Sequence, residues 1–394
     1  MPWKKSEPMN SKIEFVLKAM GGGNFRALCA EYGIAPKTGY KWKERFIESG
    51  LEGMEEKSRR PRGSPEALSE EEICEMIRLK QRHPRWGPRK IQELYRREHQ
   101  KVPSESSFKR VLERAGMVEK RRVRKAVEGG RIWSGRSGQA VNEVWTVDFK
   151  GWWYDAHGKR CEPLTVRDEH SRYVLASERL SNARTETVWR SMEKLFEKHG
   201  LPEAIRSDNG APFASQRSVL GLSRLSSRWV ALGIDLERGR PACPQDNGGH
   251  ERMHRDLSDE LERCPKDCTQ GELDVWREEF NWVRPHEALG MKCPGGLYSA
   301  SPRRYEGLPA ALQYAGMESR RIMAPGSLMW QGVKIFVSSA LAGWDVGLKP
   351  CAPGRWEVYF GNLRLGELEP SSASFIGTPW RANEAPANPT NLLP

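Results

Sequence analysis

Residues Glu143-Val-Trp-Thr-Val-Asp148-Phe-Lys150 alternate apolar with polar side chains and concentrate Val, Trp and Phe. The stretch Glu143–Trp153 therefore reads as a strand. Asp148 stands inside it, where an ionised carboxylate is costly to bury unless positive charge meets it. Downstream, Pro163–Val166 and Tyr173–Ala176 read as further strands. Thr185–His199 is an amphipathic helix with Val188, Met192, Leu195 and Phe196 on one side. Glu203–Ser207 and Ile234–Glu237 are short strands, and Gln245–Arg263 and Gly271–Val283 are helices. Three strands, helix, strand, helix, strand, helix is an α/β layout within one domain.

Two more acids stand at the ends of these elements. Asp208 closes the strand Ala204-Ile-Arg-Ser207 and is followed by Asn209-Gly210, which turns the chain sharply. Glu251 lies on the helix opened by Asp246-Asn247-Gly248-Gly249. Met253, Leu257 and Leu261 form the apolar stripe of that helix, and at about 100° per residue Glu251 falls nearly opposite Met253. Asn247 and His254 are its helical neighbours, and with Asn209 they are the candidate supporting residues. Carboxylates from two strands and one helix, converging on one point, suit oxygen-seeking Mg²⁺ or Mn²⁺. A pair of such ions about 3.5–4 Å apart would activate a water or 3′-hydroxyl and stabilise the leaving oxygen of a phosphodiester.

Charge along the chain is uneven. The 394 residues carry a formal +12, yet residues 1–137 hold 32 Lys/Arg against 19 Glu, while the remaining 257 hold 32 against 33 acids. A basic arm on a neutral body points to a polyanion, and for a chain without an export signal the default is nucleic acid bound through its phosphates. A mean hydropathy of −0.71 and the absence of any ~20-residue apolar run argue against a membrane protein. Eight scattered cysteines read as reduced thiols.

The arm has internal order. Ile13, Phe15, Val16 and Leu17 start a helix that Gly21-Gly22-Gly23 stops; Asn24 caps Phe25–Tyr32; Pro36 opens Lys37–Glu48 after the turn Gly33-Ile34-Ala35. Helix, glycine turn and helix form a helix-turn-helix pattern, with Lys37, Lys41, Lys43 and Arg45 on the recognition helix and Trp42 in the core. A basic linker bearing Arg59 and Arg60 follows. A second three-helix unit spans the region from Ser69 to Gly116, and a second basic linker carries Arg121, Arg122, Arg124 and Lys125. Near the other end, short β runs at Lys334–Val337, Trp344–Leu348 and Trp356–Phe360 alternate with Gly and Pro, as in a small antiparallel barrel or sandwich.

Trp145-Thr-Val-Asp148-Phe-Lys, Ser207-Asp208-Asn209-Gly210-Ala-Pro-Phe213 and Pro244-Gln-Asp246-Asn247-Gly-Gly-His-Glu251-Arg together resemble the retroviral-integrase-like DDE transposases of bacterial insertion sequences. Asn281-Trp-Val-Arg284-Pro285-His286 resembles the family's segment after the catalytic helix. The resemblance covers roughly residues 12–368. It implies an RNase H-like core, Asp148, Asp208 and Glu251 as catalytic and metal-binding triad, and two Mg²⁺, replaceable by Mn²⁺, per site. It further implies double-stranded DNA, both element ends and target, as partner, in a bacterial cytoplasm at the nucleoid; binding two ends at once would then call for at least a dimer. The expected fold class is multidomain: N-terminal α-helical helix-turn-helix modules, an α/β RNase H-like core and a small C-terminal all-β barrel. The expected divisions are a helix-turn-helix domain over 1–56, a basic linker over 57–68 and a second helix-turn-helix-like domain over 69–118. After a basic linker over 119–139 come the core over 140–300, the β-rich domain over 301–368 and a disordered tail over 369–394.

One departure is that 42 residues separate Asp208 from Glu251, more than the family's usual spacing. The surplus falls at Ser215–Leu232, expected to be an added helical segment, and leaves Asp246 as a rival third ligand. Two rivals overlap the site. His250-Glu251-Arg252-Met253-His254 matches the zinc-protease pattern H-E-x-x-H, and His250, His254, Cys264 and Cys268 have the ligand types of a Cys₂His₂ zinc site. A DNA-binding regulator with an inactive integrase-like domain is the alternative from another functional class.

Overall fold

The computed structural model describes residues 8–56, 67–118, 135–240, 244–262 and 269–378, in two units, Met1–Ser69 and Glu70–Pro394. In the first unit, α1 (Pro8–Met20), α2 (Phe25–Glu31) and α3 (Pro36–Ser49) close around Phe15, Val16, Cys29, Ile34, Trp42 and Met54. Asn24 caps α2 by accepting from the Ala27 N–H at 3.2 Å, as its sequence position predicts. Gly39 lets α3 approach closely, because a Cβ there would sit 2.8 Å from both Cys29 Sγ and Phe15 Cζ.

The second unit begins with α4 (Glu70–Arg82), α5 (Pro88–Glu98) and α6 (Glu105–Arg114), packed through Met76, Leu79, Ile91, Leu94, Phe108 and Leu112. The next elements are β1 (Val144–Phe149), β2 (Trp153–Tyr154), β3 (Arg160–Cys161), β4 (Pro163–Asp168) and β5 (Val174–Arg179). Then come α7 (Thr185–His199), β6 (Ala204–Ser207), α8 (Arg224–Ala231), β7 (Asp235–Arg238), α9 (Gly248–Leu257) and α10 (Gln270–Glu278). The expected strand Glu143–Trp153 is shorter than its composition suggested. It leaves the sheet after Phe149, and β2 pairs with β3 in a separate hairpin. Asp155 forces that turn by accepting from the His157 and Lys159 N–H groups at 3.0 and 2.8 Å.

The central sheet runs β5-β4-β1-β6-β7, with β5, β4 and β1 antiparallel and β1, β6 and β7 parallel. Its two faces differ, as the period-2 alternation of the strands requires. Trp145, Val147, Leu164 and Val166 pack under Val188, Met192 and Phe196 of α7 and Trp229 of α8. The intervening residues Thr146, Asp148, Thr165 and Arg167 belong to the opposite face, where α9 lies. Met253 and Leu257 of α9 join Val174, Leu273, Trp276 and Phe280 in a second core. Cys161 in that core is disulfide-bonded, so the expectation of uniformly reduced thiols does not hold there.

The first helical module of this unit is docked on the core. Trp86 Nε1 donates to Glu260 Oε1 at 3.2 Å, His83 Nδ1 lies 2.7 Å from Glu279 Oε1, and Arg97 donates to the Val283 carbonyl at 2.9 Å. Arg284 binds Asp256 and Glu260 at 2.8 and 2.6 Å with its guanidinium 5.7 Å from the Trp86 ring centroid.

The C-terminal strands are β8 (Glu318–Arg321), β9 (Ser327–Trp330), β10 (Val333–Phe336), β11 (Asp345–Ala352), β12 (Arg355–Phe360), β13 (Leu363–Glu369) and β14 (Ser374–Gly377). They form an open sheet of order β14-β13-β12-β11-β8 and a β9–β10 hairpin, so the all-β character holds while the expected barrel does not close among the described residues. Among the described residues, β8 and β14 pair with one neighbour each, so both edges stay open. The surplus segment is helical only in its second half, as α8; its first half runs through turns to an isolated bridge of Leu222 with Ala214, and its Leu222, Val230 and Ala231 complete the core beneath Leu328, Ile335 and Val358. β14 also falls within the span expected to be a disordered tail; it pairs with β13 through Leu368 and Phe375. Residues 379–394 lie outside the described residues.

Candidate active site

β1 and β6 pair in parallel with Val147 opposite Ser207. Asp148 and Asp208 follow as the next residues, on chains roughly 4.8 Å apart at the carboxyl ends of two central strands. Crevices beyond such ends are where open α/β sheets bind ligands. Asp148 belongs to the α9 face, and α9 delivers Glu251 in its first turn. All three acids line one cleft of about 1130 Å³.

What fixes α9 on the sheet is a hydroxyl–imidazole cluster. Thr165, which pairs with Asp148 across the β1–β4 ladder, gives its one proton to the Asp148 carbonyl at 3.0 Å. The same hydroxyl lies 2.7 Å from Nε2 of both His250 and His254. His250 Nδ1 lies 2.7 Å from the Thr146 hydroxyl. Burial holds both imidazoles neutral: His250 far below its ordinary value, and His254 at about 3, with Lys150 and Arg167 adding to the effect. Gly249 completes the approach, since a Cβ there would lie 2.6 Å from the buried Arg167 guanidinium.

The cluster decides between the rival motifs. His250 has no exposed surface and both of its nitrogens are engaged by threonine hydroxyls, so the H-E-x-x-H spacing here serves helix anchoring. Cys264 and Cys268 lie outside the described residues. Asp246 is buried and held by Arg240 through Nε and the backbone N–H at 2.9 Å and Nη2 at 2.6 Å. That clamp keeps its carboxyl below the usual range. Glu251, by contrast, is exposed to the cleft.

The electrostatics ask for a cation. Burial, followed by the charge of Asp208 and then of Glu251, pushes Asp148 up to about 7. Burial also raises Asp208, against the Gly210 N–H and the nearby Arg238 guanidinium. Among the described residues no Lys or Arg forms an ion pair with Asp148, Asp208 or Glu251. An all-carboxylate donor set with unmet charge fits a hard divalent ion. Asn209 donates to the Gly239 carbonyl at 2.7 Å, while its Oδ1 and that of Asn247 are buried in the same cleft without a partner among the described residues.

On the first unit, Lys37 and Lys41 of α3 are exposed. Lys43 turns back to the Ala19 carbonyl at 3.4 Å, and Arg45 lies over Trp42, 5.0 Å from its centroid. Arg59, Arg60, Arg121, Arg122, Arg124 and Lys125 lie outside the described residues. Thr146, Thr165, Arg238 and Arg240 were not singled out from sequence. A signal for the threonines existed, since each shares a strand face with Asp148 or faces it across the ladder. Arg238 is buried and donates to the Phe213 and Gly221 carbonyls, both at 3.2 Å, tying the surplus segment to β7. Among the described residues, no helix is long and apolar enough to cross a membrane.

Residues 138–244 match the integrase core domain, and residues 232–294 match a second integrase core domain family. Residues 11–62 match a helix-turn-helix domain and 38–112 a homeodomain-like domain. The uncharacterized 31.7 kDa protein of insertion element IS407 from Burkholderia multivorans is 27% identical over 259 residues, 63% of this chain and 88% of that protein. The uncharacterized 39.2 kDa protein of insertion element IS476 from Xanthomonas euvesicatoria is 27% identical over 253 residues, covering 62% of this chain and 67% of that one. Among solved structures, the catalytic core domain of BIV integrase aligns at a TM-score of 0.32 and 23% identity, over 40% of this chain and 93% of that one. The chain thus joins helix-turn-helix domains to an integrase core of RNase H-like fold, and it resembles a bacterial insertion-sequence transposase.

Proposed function

We propose that the chain is a DDE transposase that binds the ends of its own insertion sequence, cuts a DNA strand there and joins the freed end to target DNA. The observation that carries this reading is the convergence of Asp148, Asp208 and Glu251 on one cleft, with Asp148 pushed up to about 7 by burial and by its acidic neighbours. Those three carboxylates would hold two Mg²⁺ ions, for which Mn²⁺ can substitute. When bound, the ions supply activation of a water or 3′-hydroxyl and stabilisation of the leaving oxygen.

The chain's own residues set the stage for that chemistry. The β1–β6 register fixes Asp148 against Asp208, and the Thr165–His250–His254 cluster holds the helix that carries Glu251. Asp246 lines the same cleft, but Arg240 neutralises its carboxylate. The exposed lysines Lys37 and Lys41 of α3 face phosphate or base edges, with the basic linkers adding phosphate contacts. Two ends must be held together for joining, so the working form is at least a dimer on DNA, acting in the bacterial cytoplasm at the nucleoid.

The test is a labelled duplex of the DNA flanking its own gene, incubated with the protein in Mg²⁺, Mn²⁺ or EDTA. Metal-dependent nicking at one position at the element end is expected. Binding without nicking in either metal, with both ends supplied, would instead indicate a regulator with an inactive core.

A further inference from the structure

The cleft has another wall that the strand-cutting residues do not use. It is lined by Phe336 and Phe375 of the C-terminal domain, by Thr378, and by Arg217 of the surplus segment. Phe336 is 58% exposed, although its strand neighbours Ile335 and Val337 are buried. The alternation of β10 turns this ring off the domain core and puts Lys334 on the same outward side. Phe375, half-buried, stands on β14. Three residues lining the cleft carry a buried side-chain oxygen without a partner among the described residues: Asn209 and Asn247, next in the chain to the acidic side, and Thr378 on this wall. Orphaned buried acceptors cost free energy until a ligand meets them. Arg217 is exposed and forms no ion pair among the described residues.

Aromatic faces, unpaired acceptors and the Arg217 cation in one cleft match one chemistry better than another. An apolar side chain of a protein partner would cover Phe336 and leave the acceptors bare. A nucleobase brings a flat π face together with N–H donors, and its flanking phosphates suit Arg217 and Lys334. We propose that this wall is a nucleobase subsite, in which Phe336 and Phe375 stack an unpaired base next to the phosphate held at the three carboxylates. The proposal rests on the DNA-cutting reading above and adds to it that the duplex is opened locally where the strand is cut.

The test uses the full chain and duplexes of the DNA flanking its gene, substituted singly with 5-iododeoxyuridine around the nicking position and irradiated in Ca²⁺. Crosslinks from a nucleotide adjoining that position to Phe336 or Phe375 are expected. Because stacking on one aromatic ring is a substantial part of binding one base, Phe336→Ala and Phe336→Leu should each slow nicking of the paired duplex about tenfold or more. On a duplex mismatched beside the nick, both variants should stay within about twofold of the parent, because the opening is already made. Parent-like nicking of the paired duplex by both variants, equal losses on paired and mismatched duplexes, or crosslinks confined to other residues would overturn the subsite. Crosslinking absent while a second copy of the chain covers Phe336 would assign the wall to protein contact instead. No nicking of any duplex by the unaltered chain would sink the subsite together with the reading beneath it.

Discussion

Arg240 grips both carboxylate oxygens of Asp246, with Nε 2.9 Å from Oδ2 and Nη2 2.6 Å from Oδ1. The sequence left Asp246 and Glu251 as rivals for the third place in the acidic site. Both acids line the cleft, but a carboxylate already paired in a buried clamp has little left to offer a cation, whereas Glu251 is exposed. Asp246→Asn should therefore keep strand cleavage while lowering stability by about 3–5 kcal/mol, the scale for stranding a buried partner charge. Thermal denaturation and nicking, measured on the same preparation, separate the two effects. Cleavage lost in Asp246→Asn and kept in Glu251→Gln would reverse the assignment.

Asp148 makes the metal-free protein pH-sensitive. Its folded value of about 7 lies above an ordinary 3.8, so between these values the folded chain holds a proton that the unfolded chain has released. Stability from this group is thus present at low pH, falls as pH rises from about 4 to 7 and then levels off. Asp148→Asn should raise the thermal midpoint at pH 8, with the gain shrinking to nothing by pH 4. Adding Mg²⁺ at pH 8 should raise the midpoint of the parent and do little for the variant. Equal midpoints at pH 8 without metal would contradict the burial argument.

His250 is an anchor, and the expectations for it are those of a buried hydrogen-bonded group. His250→Ala should cost about 2–4 kcal/mol, since it opens a cavity and strips partners from two threonine hydroxyls. Purified protein should contain far less than one zinc per chain at this site, and added zinc should restore nothing to the variant. Stoichiometric zinc lost on His250→Ala would revive the metal-ligand reading.

Arg284 ties the α4–α6 module to the helix that bears Glu251. Arg284→Ala leaves Asp256 and Glu260 without their shared cation beneath Trp86. A loss of about 3–5 kcal/mol follows from uncompensated buried charge. Chemical denaturation provides the measurement, and an unchanged midpoint would mean that this docking contributes little.

Lys37 and Lys41 are the cations that α3 leaves exposed. Replacing both by Ala should weaken binding to element-end DNA and lower the slope of log affinity against log salt by about two. Lys43→Ala should change that slope less, because Lys43 reaches back to Ala19. Equal slopes for the double variant and the parent would remove α3 from the interface.

Much of the core was legible in the sequence because alternation and helical period are local. The bounds of α7 follow from its apolar stripe, and the alternation of β1 already separates Trp145 and Val147 from Thr146 and Asp148. The early end of β1 was not legible: Val, Trp and Phe continue to Trp153, and only the Asp155 turn shows that the chain doubles back. The threonine–histidine cluster was hidden for another reason. A threonine on a strand reads as ordinary β propensity until strand register sets Thr165 opposite Asp148. Trp86 and Arg284 are nearly two hundred residues apart, and no local pattern signals their stacking. The open C-terminal sheet likewise follows from which strands pair, a long-range outcome that Gly and Pro punctuation does not encode.

The most direct measurement compares nicking and end binding for Asp148→Asn, Asp208→Asn and Glu251→Gln on one labelled duplex of flanking DNA in Mg²⁺. The expected result is footprints close to that of the parent and no nicking in any of the three. Nicking that persists in any one of them would contradict the three-carboxylate site.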